Sequence, residues 1–276
     1  MIRQIYIYKK DDLRLIFHRK YANIGRINFD EISQLILPVA RAMDDGVIDH
    51  SEIFRYRISY GTLGDYIVVM INNRSCDREE VEGALTEYLR DVASQRFNSP
   101  LSVEEERHLS ILSRRVIATI PAKVCFVGFG GVGKTTLLRL LRHERIPLRY
   151  EPTMFGERAI MTLPIGPYRV ILFTVGGQER FMPIWDILIR GSDVVVVVTD
   201  STPDNVERTK SQIMPMIRDP ARYSVILAIA NKQDLPKSLP ADVIEQTLGI
   251  KTYGCVAIDP AYRSKIMDVI KSALLS

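Results

Sequence analysis

Gly128-Phe129-Gly130-Gly131-Val132-Gly133-Lys134-Thr135 lies between an apolar run, Val124 to Val127, and a Leu-rich segment, Leu137 to Leu141. A glycine-rich turn that joins a buried strand to a helix and ends in Lys-Thr reads as a phosphate-binding loop. Its glycines let successive backbone N–H groups turn inward on a polyphosphate, so Gly128, Gly130, Gly131, Val132, Gly133 and Thr136 form the candidate cradle. Lys134 is placed to reach the β- and γ-phosphates, and the Thr135 hydroxyl to hold Mg²⁺. The helix N-terminus adds partial positive charge.

Working outward from this loop, apolar strands alternate with amphipathic helices from Lys123 to the end of the chain. The clearest strands are Val124 to Phe129, Val170 to Val175, Val194 to Thr199 and Val225 to Ala230; helices are expected at Gly133 to His143, Asn205 to Arg218, Ala241 to Leu248 and Arg263 to Leu275. Near-continuous apolar strands, with five consecutive valines from Val194, are expected of a mostly parallel sheet covered on both faces. In such an α/β sheet ligands sit at the carboxyl ends of strands, where the phosphate loop falls.

The base is read at Asn231-Lys232-Gln233-Asp234, directly after the strand Val225 to Ala230. The Asp234 carboxylate can accept from guanine N1–H and the exocyclic amine, where adenine offers no matching donors. The Lys232 stem can lie over the base plane, and Asn231 can brace the loop. Near Cys255-Val256-Ala257 the last strand should bring a backbone N–H, from Val256 or Ala257, to guanine O6. In Thr174-Val175-Gly176-Gly177-Gln178-Glu179-Arg180, Gly177 can offer its N–H to a γ-phosphate and Gln178 can orient an attacking water. Upstream, Thr153 in Glu151-Pro152-Thr153 can close over Mg²⁺ and the γ-phosphate.

With these motifs in place, residues 122–276 resemble the Ras-like small GTPases. Pro152-Thr153, Val175-Gly176-Gly177-Gln178, Pro183-Ile184-Trp185 and Asn231-Lys232-Gln233-Asp234 look most like the Arf family. The resemblance implies GTP and GDP as ligands, Mg²⁺ as cofactor, and a second mobile switch from Gly176 through Arg190. It also implies that Trp185 and Phe181 present apolar surface to effectors or regulators in the GTP state, although a lone Trp reads equally well as core. Most of these proteins carry Asp where this chain has Thr174. An aspartate there helps hold a Mg²⁺-bound water, so its loss either weakens Mg²⁺ affinity or leaves that task to another acceptor, and the bacterial gliding-motility (Mgl-type) GTPases look similar in pairing Thr here with the same Gln. Slow hydrolysis is the expectation, because an uncomplemented switch of this type leaves the transition-state charge without an arginine finger; whether Arg180, the first domain or another protein supplies one is left open.

The first hundred residues read as a different unit. Gln4 to Tyr8 and Leu13 to Arg19 suggest a hairpin turning at Asp11-Asp12; a helix from Asp30 to Ala42 follows, then strands Ile53 to Tyr60 and Asp65 to Asn72 joined at Gly61 and Gly64, and a helix from Arg78 to Arg96. This α+β pattern on an antiparallel sheet resembles a longin domain, related in shape to roadblock domains. Both kinds commonly bind small GTPases, which implies a regulator held in cis. Asn98-Ser99-Pro100 breaks the chain, and a helix from Val103 to Ile117 leads to Pro121. Whether that helix packs on the first domain or spans the two is left open. The expected domains are therefore 1–119, longin-like with a core of 1–96, and 120–276, a P-loop GTPase domain. His18 and His50 read as surface residues rather than ligands.

Composition narrows the class. Up to Pro121 there are 17 basic and 18 acidic residues, against 20 basic and 15 acidic afterwards, so the excess charge belongs to the nucleotide-binding half. Arg139, Arg142, Arg145 and Arg149 carry part of it, with no aromatic interleaving or motif for nucleic acid beside them. Three scattered cysteines suggest neither a disulfide framework nor a zinc site, and fit a reduced intracellular protein. No stretch approaches the ~20 apolar residues of a membrane span, and neither end carries a lipidation signal. The expected setting is cytoplasmic, with any peripheral membrane contact made through partners. The leading expectation is a slow GTP-hydrolysing switch, the alternative a GTP-binding structural or docking subunit with little hydrolysis, and an ATPase the weaker third.

Overall fold

A computed structural model describes residues 1–25, 27–144, 168–177 and 185–276. Chain contacts divide it into two units: residues 1–121 with 164–169 and 275–276, and residues 122–163 with 170–274.

The first unit is a five-stranded antiparallel sheet with spatial order β2-β1-β5-β4-β3. Its strands are β1 (Ile2–Lys9), β2 (Leu15–Lys20), β3 (Ile48–Ile53), β4 (Tyr56–Leu63) and β5 (Tyr66–Asn73). Alternation on these strands feeds two cores. Tyr6, Tyr8, Ile58, Tyr60, Ile67 and Val69 cluster with Phe29, Ile36, Leu37 and Ala40 of helix α1 (Phe29–Ala42). Helix α2 (Arg78–Ala93) covers the other face with Val81, Leu85, Leu89 and Val92. Each such side chain removed from water contributes about 1.5–3 kcal/mol before the entropy of ordering it.

The sequence expectation of a single strand from Ile53 to Tyr60 is corrected here. That segment straddles a tight turn at Phe54, which adopts φ 53°, and separates β3 from β4. Strand β3 reads Ile-Asp-His-Ser-Glu-Ile, a polar edge strand with weak apolar alternation, so its signal is easily missed. Gly61 is likewise inside β4 and not in a turn. A Cβ there would stand 2.9 Å from the Val47 carbonyl oxygen and 3.0 Å from Leu89 Cδ1, so glycine permits the close approach of α2.

Helix α3 (Val103–Thr119) starts with a capping box between Ser102 and Glu105 and belongs to the first unit. It packs on α2 and β2, with Tyr88 Oη and Ser113 Oγ 2.7 Å apart inside the contact.

His50 is not a surface residue. Its side chain is 4% exposed, with Nδ1 2.9 Å from Ser59 Oγ and Nε2 2.9 Å from Glu82 Oε1, tying the edge strand to α2. Hydrogen bonds from His50, and then from Arg78, hold the Glu82 carboxyl below the usual glutamate range. A depressed carboxylate contributes stability above its unfolded pKa of about 4.3 and loses it as the pH falls further. Glu82→Gln is therefore expected to flatten the decline in unfolding free energy between about pH 5 and pH 3. Urea titrations across that range measure it, and an unaltered decline would show that the contact carries no linkage.

The second unit is a five-stranded parallel sheet in the order β10-β9-β8-β6-β7, formed by β6 (Ala122–Val127), β7 (Val170–Thr174), β8 (Val194–Thr199), β9 (Val225–Ala230) and β10 (Thr252–Gly254). All six residues of β8 are buried, as the valine run requires of a strand covered on both faces. After β6 the chain passes to β7 on one side and then to β8 on the other. The crevice beyond the carboxyl ends of β6 and β8 is thus a topological switch point. Helices α4 (Lys134–Leu141), α5 (Trp185–Ile189), α8 (Ala241–Leu248) and α9 (Tyr262–Leu275) interleave with the strands.

The single helix expected from Asn205 to Arg218 is instead α6 (Pro203–Arg208), a π-helical turn (Thr209–Ile213) and α7 (Met214–Ile217). Pro215 explains the change: it has no N–H for the carbonyl four residues back, and the Met214 N–H reaches five residues back to Thr209 O.

Candidate functional site

The loop after β6 turns on three glycines with positive φ: Gly128 at 154°, Gly131 at 80° and Gly133 at 101°. At two of them space as well as conformation demands glycine. A Cβ on Gly128 would run into the Val198 carbonyl oxygen, and one on Gly133 into Asn231 Nδ2. Gly133 caps α4 without a side-chain bond, and Thr135 and Thr136 stand in the helix's first turn. The N–H groups of this turn and of the loop have the arrangement that receives an anion.

Lys134 is 8% exposed, and its ammonium donates to the carbonyls of Gly128, at 2.7 Å, and Phe129, at 2.8 Å. Burial lowers its pKa from 10.5 to about 8. A buried cation whose partners among the described residues are these two carbonyls fits a group meant to meet a polyphosphate. Gly177 presses onto the same place, where an added Cβ would collide with Lys134 Nζ and lie 2.6 Å from both Gly130 N and Phe129 C. The geometry thus brings Gly177, seven residues beyond the start of β7, against the loop of Gly128 to Lys134.

Asn231 is the joint between loops. It is 2% exposed, its Nδ2 donates to Val132 O at 2.9 Å, and its Oδ1 accepts from the Ala257 N–H at 2.9 Å. Its backbone N–H donates to Thr199 O at 2.8 Å, and its carbonyl accepts from Ser201 Oγ. One residue therefore fixes the loops that follow β6, β8, β9 and β10. Lys232 follows with φ 61°, which turns the chain, and Asp234 is exposed. Gln233 locks the turn from below, with Nε2 2.8 Å from Ser201 Oγ and 2.9 Å from Leu239 O. Of the two backbone candidates near the base, Ala257 has its N–H directed at Asn231 Oδ1, and Val256 precedes it after β10 has ended.

Trp185 is core: 1% exposed, with its indole N–H donating to Gly176 O at 3.0 Å. The expectation of apolar surface at this residue does not describe this conformation, because the ring is buried and its N–H is bonded to the Gly176 carbonyl. Gln178, Thr153, Arg180 and Phe181 lie outside the described residues, as do Arg145 and Arg149.

For a cation, no group of three or more His, Cys, Asp and Glu side chains converges among the described residues. The donors on offer are hydroxyls, Thr135 above all, which suit a hard ion that takes its remaining ligands from phosphate and water. Thr174, at the end of β7, is 4% exposed.

Ser201 and Asn205 belong to no motif in the sequence, yet both stand at this site. Ser201 is fully buried at φ 67° and joins Asn231 to Gln233, while Asn205 Oδ1 accepts from Thr199 Oγ1 at 2.7 Å. Their signal is the polar run Thr199-Asp200-Ser201-Thr202 immediately after five buried valines, at a strand's carboxyl end.

The model of the ADP-ribosylation factor family matches residues 108–274. ADP-ribosylation factor-like protein 4C of Homo sapiens and that of Mus musculus are each 31% identical to this chain over 144 residues, 50% of this chain and 74% of theirs. The match spans the phosphate loop, the Gly176-Gly177 segment and the Asn231 joint together, and the chain belongs to the ADP-ribosylation factor family of small GTPases.

Proposed function

We propose that residues 120–276 form a guanine-nucleotide switch that binds GTP and GDP with Mg²⁺ and hydrolyses GTP slowly. The observation that carries this reading is the Asn231 joint, which holds the candidate base loop and the candidate phosphate loop in one hydrogen-bonded frame. In it Gly128, Gly130, Gly131, Val132, Gly133 and Thr136 cradle phosphates, Lys134 neutralises them, and Gly177 meets the γ-phosphate. Lys232 and Asp234 recognise guanine, with the Val256 or Ala257 N–H at O6. Thr135 and Thr153 would hold Mg²⁺, which when bound neutralises charge on β- and γ-phosphate oxygens. Gln178 orients the attacking water.

Residues 1–119 are proposed as a longin-like domain that regulates the switch in cis or passes on its signal, and effectors are expected at the segments around Thr153 and Gly176 to Arg190. The antiparallel sheet with its helices supports that likeness, and tethering supplies a high effective concentration. No helix among the described residues is long and apolar enough to cross a membrane, so membrane contact, if made, is peripheral in this reading.

Single-turnover hydrolysis of GTP with Mg²⁺ is the test. Gln178→Leu is expected to lower the rate by roughly tenfold or more, since water positioning is lost while binding remains. Equal, negligible rates in both proteins would sink the hydrolytic reading and favour a GTP-binding structural subunit, the reading that Thr174 in place of a carboxylate supports. The same assay on a chain lacking residues 1–119 probes the regulator role; unaltered exchange and hydrolysis would leave the first domain as a docking module.

A further inference from the structure

Phe129 is the aromatic residue of the phosphate loop, and it is held by a cation. The Arg208 guanidinium stands over its ring, 4.4 Å from the centroid, and the ring is 4% exposed. The other cation–aromatic pairs described in this unit, Arg222 with Tyr223 and Lys265 with Tyr262, join near neighbours in sequence. Arg208 on Phe129 instead joins the end of α6 to the loop after β6.

The main chain of Phe129 is where the site converges. Its carbonyl accepts from Lys134 Nζ at 2.8 Å, and its carbonyl carbon lies 2.6 Å from the place where a Cβ on Gly177 would stand. A shift of this one peptide would alter both the lysine's reach and the seat of Gly177.

Arg208 is the last residue of α6 and immediately precedes the π-helical turn that begins at Thr209. Such turns break the regular helical register and commonly mark functional sites. Here the turn directly follows the residue that stands over Phe129, and Thr209 is fully buried.

We propose that Arg208 is a positioning residue for the bound polyphosphate, acting through the ring of Phe129 to fix the peptide against which Lys134 and Gly177 pack. The proposal rests on the nucleotide-switch reading and adds to it a residue outside the loops already discussed. Arginine suits the task because its planar guanidinium stacks on a ring face while keeping its donors in plane, and lysine offers only a point charge.

The test is the release rate of fluorescent mant-GDP from the full chain, measured for the unaltered protein, Arg208→Met, Arg208→Lys, Phe129→Leu and the double variant Arg208→Met with Phe129→Leu. Arg208→Met and Phe129→Leu are each expected to release nucleotide about fivefold faster, Arg208→Lys by less, and the double variant no faster than the faster single one. Thermal midpoints of the nucleotide-free proteins provide the control, since a merely structural role would lower them without coupling the two release effects. Unchanged release in Arg208→Met, or multiplying effects in the double variant, would overturn the proposal. If Arg208→Met does not fold, Arg208→Lys closes the same cycle. A parallel series with mant-ADP separates the two readings: retention of adenine nucleotide alone would refute guanine specificity, and the Arg208–Phe129 coupling would then be read on that ligand. A chain that retains neither would overturn both.

Discussion

Asn231→Ala is expected to release guanine nucleotide about a hundredfold faster and to destabilise the second unit by about 3 kcal/mol, from two lost side-chain hydrogen bonds in a buried place. The amide donates to Val132 O and accepts from the Ala257 N–H, both at 2.9 Å. Truncation leaves an N–H and a carbonyl at the ends of two loops with no replacement, and leaving buried groups unsatisfied costs about 1–3 kcal/mol each. The backbone bonds of residue 231 to Thr199 and from Ser201 survive, so the strand persists while the loops lose their tie. Asn231→Asp should do no better despite its equal size. It sets a carboxylate oxygen in place of Nδ2 against the Val132 carbonyl, so an attraction becomes a repulsion in a site 2% exposed. Mant-GDP release and urea unfolding of both variants measure these effects; release at the natural rate would show that Asn231 is not the joint.

Much of the second unit was legible because its signals are local and strong. Five valines in a row suit a strand covered on both faces, and a glycine-rich turn from an apolar strand that ends in Gly-Lys-Thr at a helix start has few other uses. The tetrad at Asn231 was equally plain as a loop, but its bracing role depends on Val132 and Ala257, partners far away in sequence. No periodicity reports such a bond. The interruption at Thr209 illustrates a different limit: Pro215 was visible, yet whether a proline ends a helix, kinks it or is absorbed by a π turn depends on what the neighbouring elements allow. Trp185 is ambiguous in sequence for a related reason: the Gly176 carbonyl that receives its buried N–H lies nine residues away, in another segment.

In the first unit the central strands carried their own evidence and the edge did not. β5 is buried along its whole length and was read nearly to its ends, whereas β3 alternates between half-buried and exposed positions and merged with β4 in the sequence. Gly61 was misplaced because glycine has two meanings, a turn or a close approach, and only the position of Leu89 chooses between them. The burial of His50 leaves no mark on its own segment, because the Ser59 and Glu82 bonded to it come from other elements.

Lys134→Met is expected to lower nucleotide affinity by about a hundred- to a thousandfold, the scale on which one partner of a desolvated charge pair matters, while leaving the thermal midpoint of the nucleotide-free protein nearly unchanged. The two effects separate because the lysine does opposite things in the two states. Without ligand its ammonium is buried against two carbonyls, and burial depresses its pKa from 10.5 to about 8. That displacement corresponds to roughly 3 kcal/mol working against the charged form on folding. Methionine, unbranched and of similar reach, removes this penalty and fills the same channel. Against it stand the Gly128 and Phe129 carbonyls, each losing a donor at about 1–2 kcal/mol. The sum is near zero for the empty protein. In the proposed nucleotide complex no such cancellation exists, since the charge that was costly in isolation becomes the counterion of the phosphates. Calorimetric melting of the nucleotide-free variant beside a mant-GDP titration measures both quantities. A large fall in the melting temperature with little change in affinity would show that Lys134 is a structural strut of the loop, and would remove the phosphate from its role.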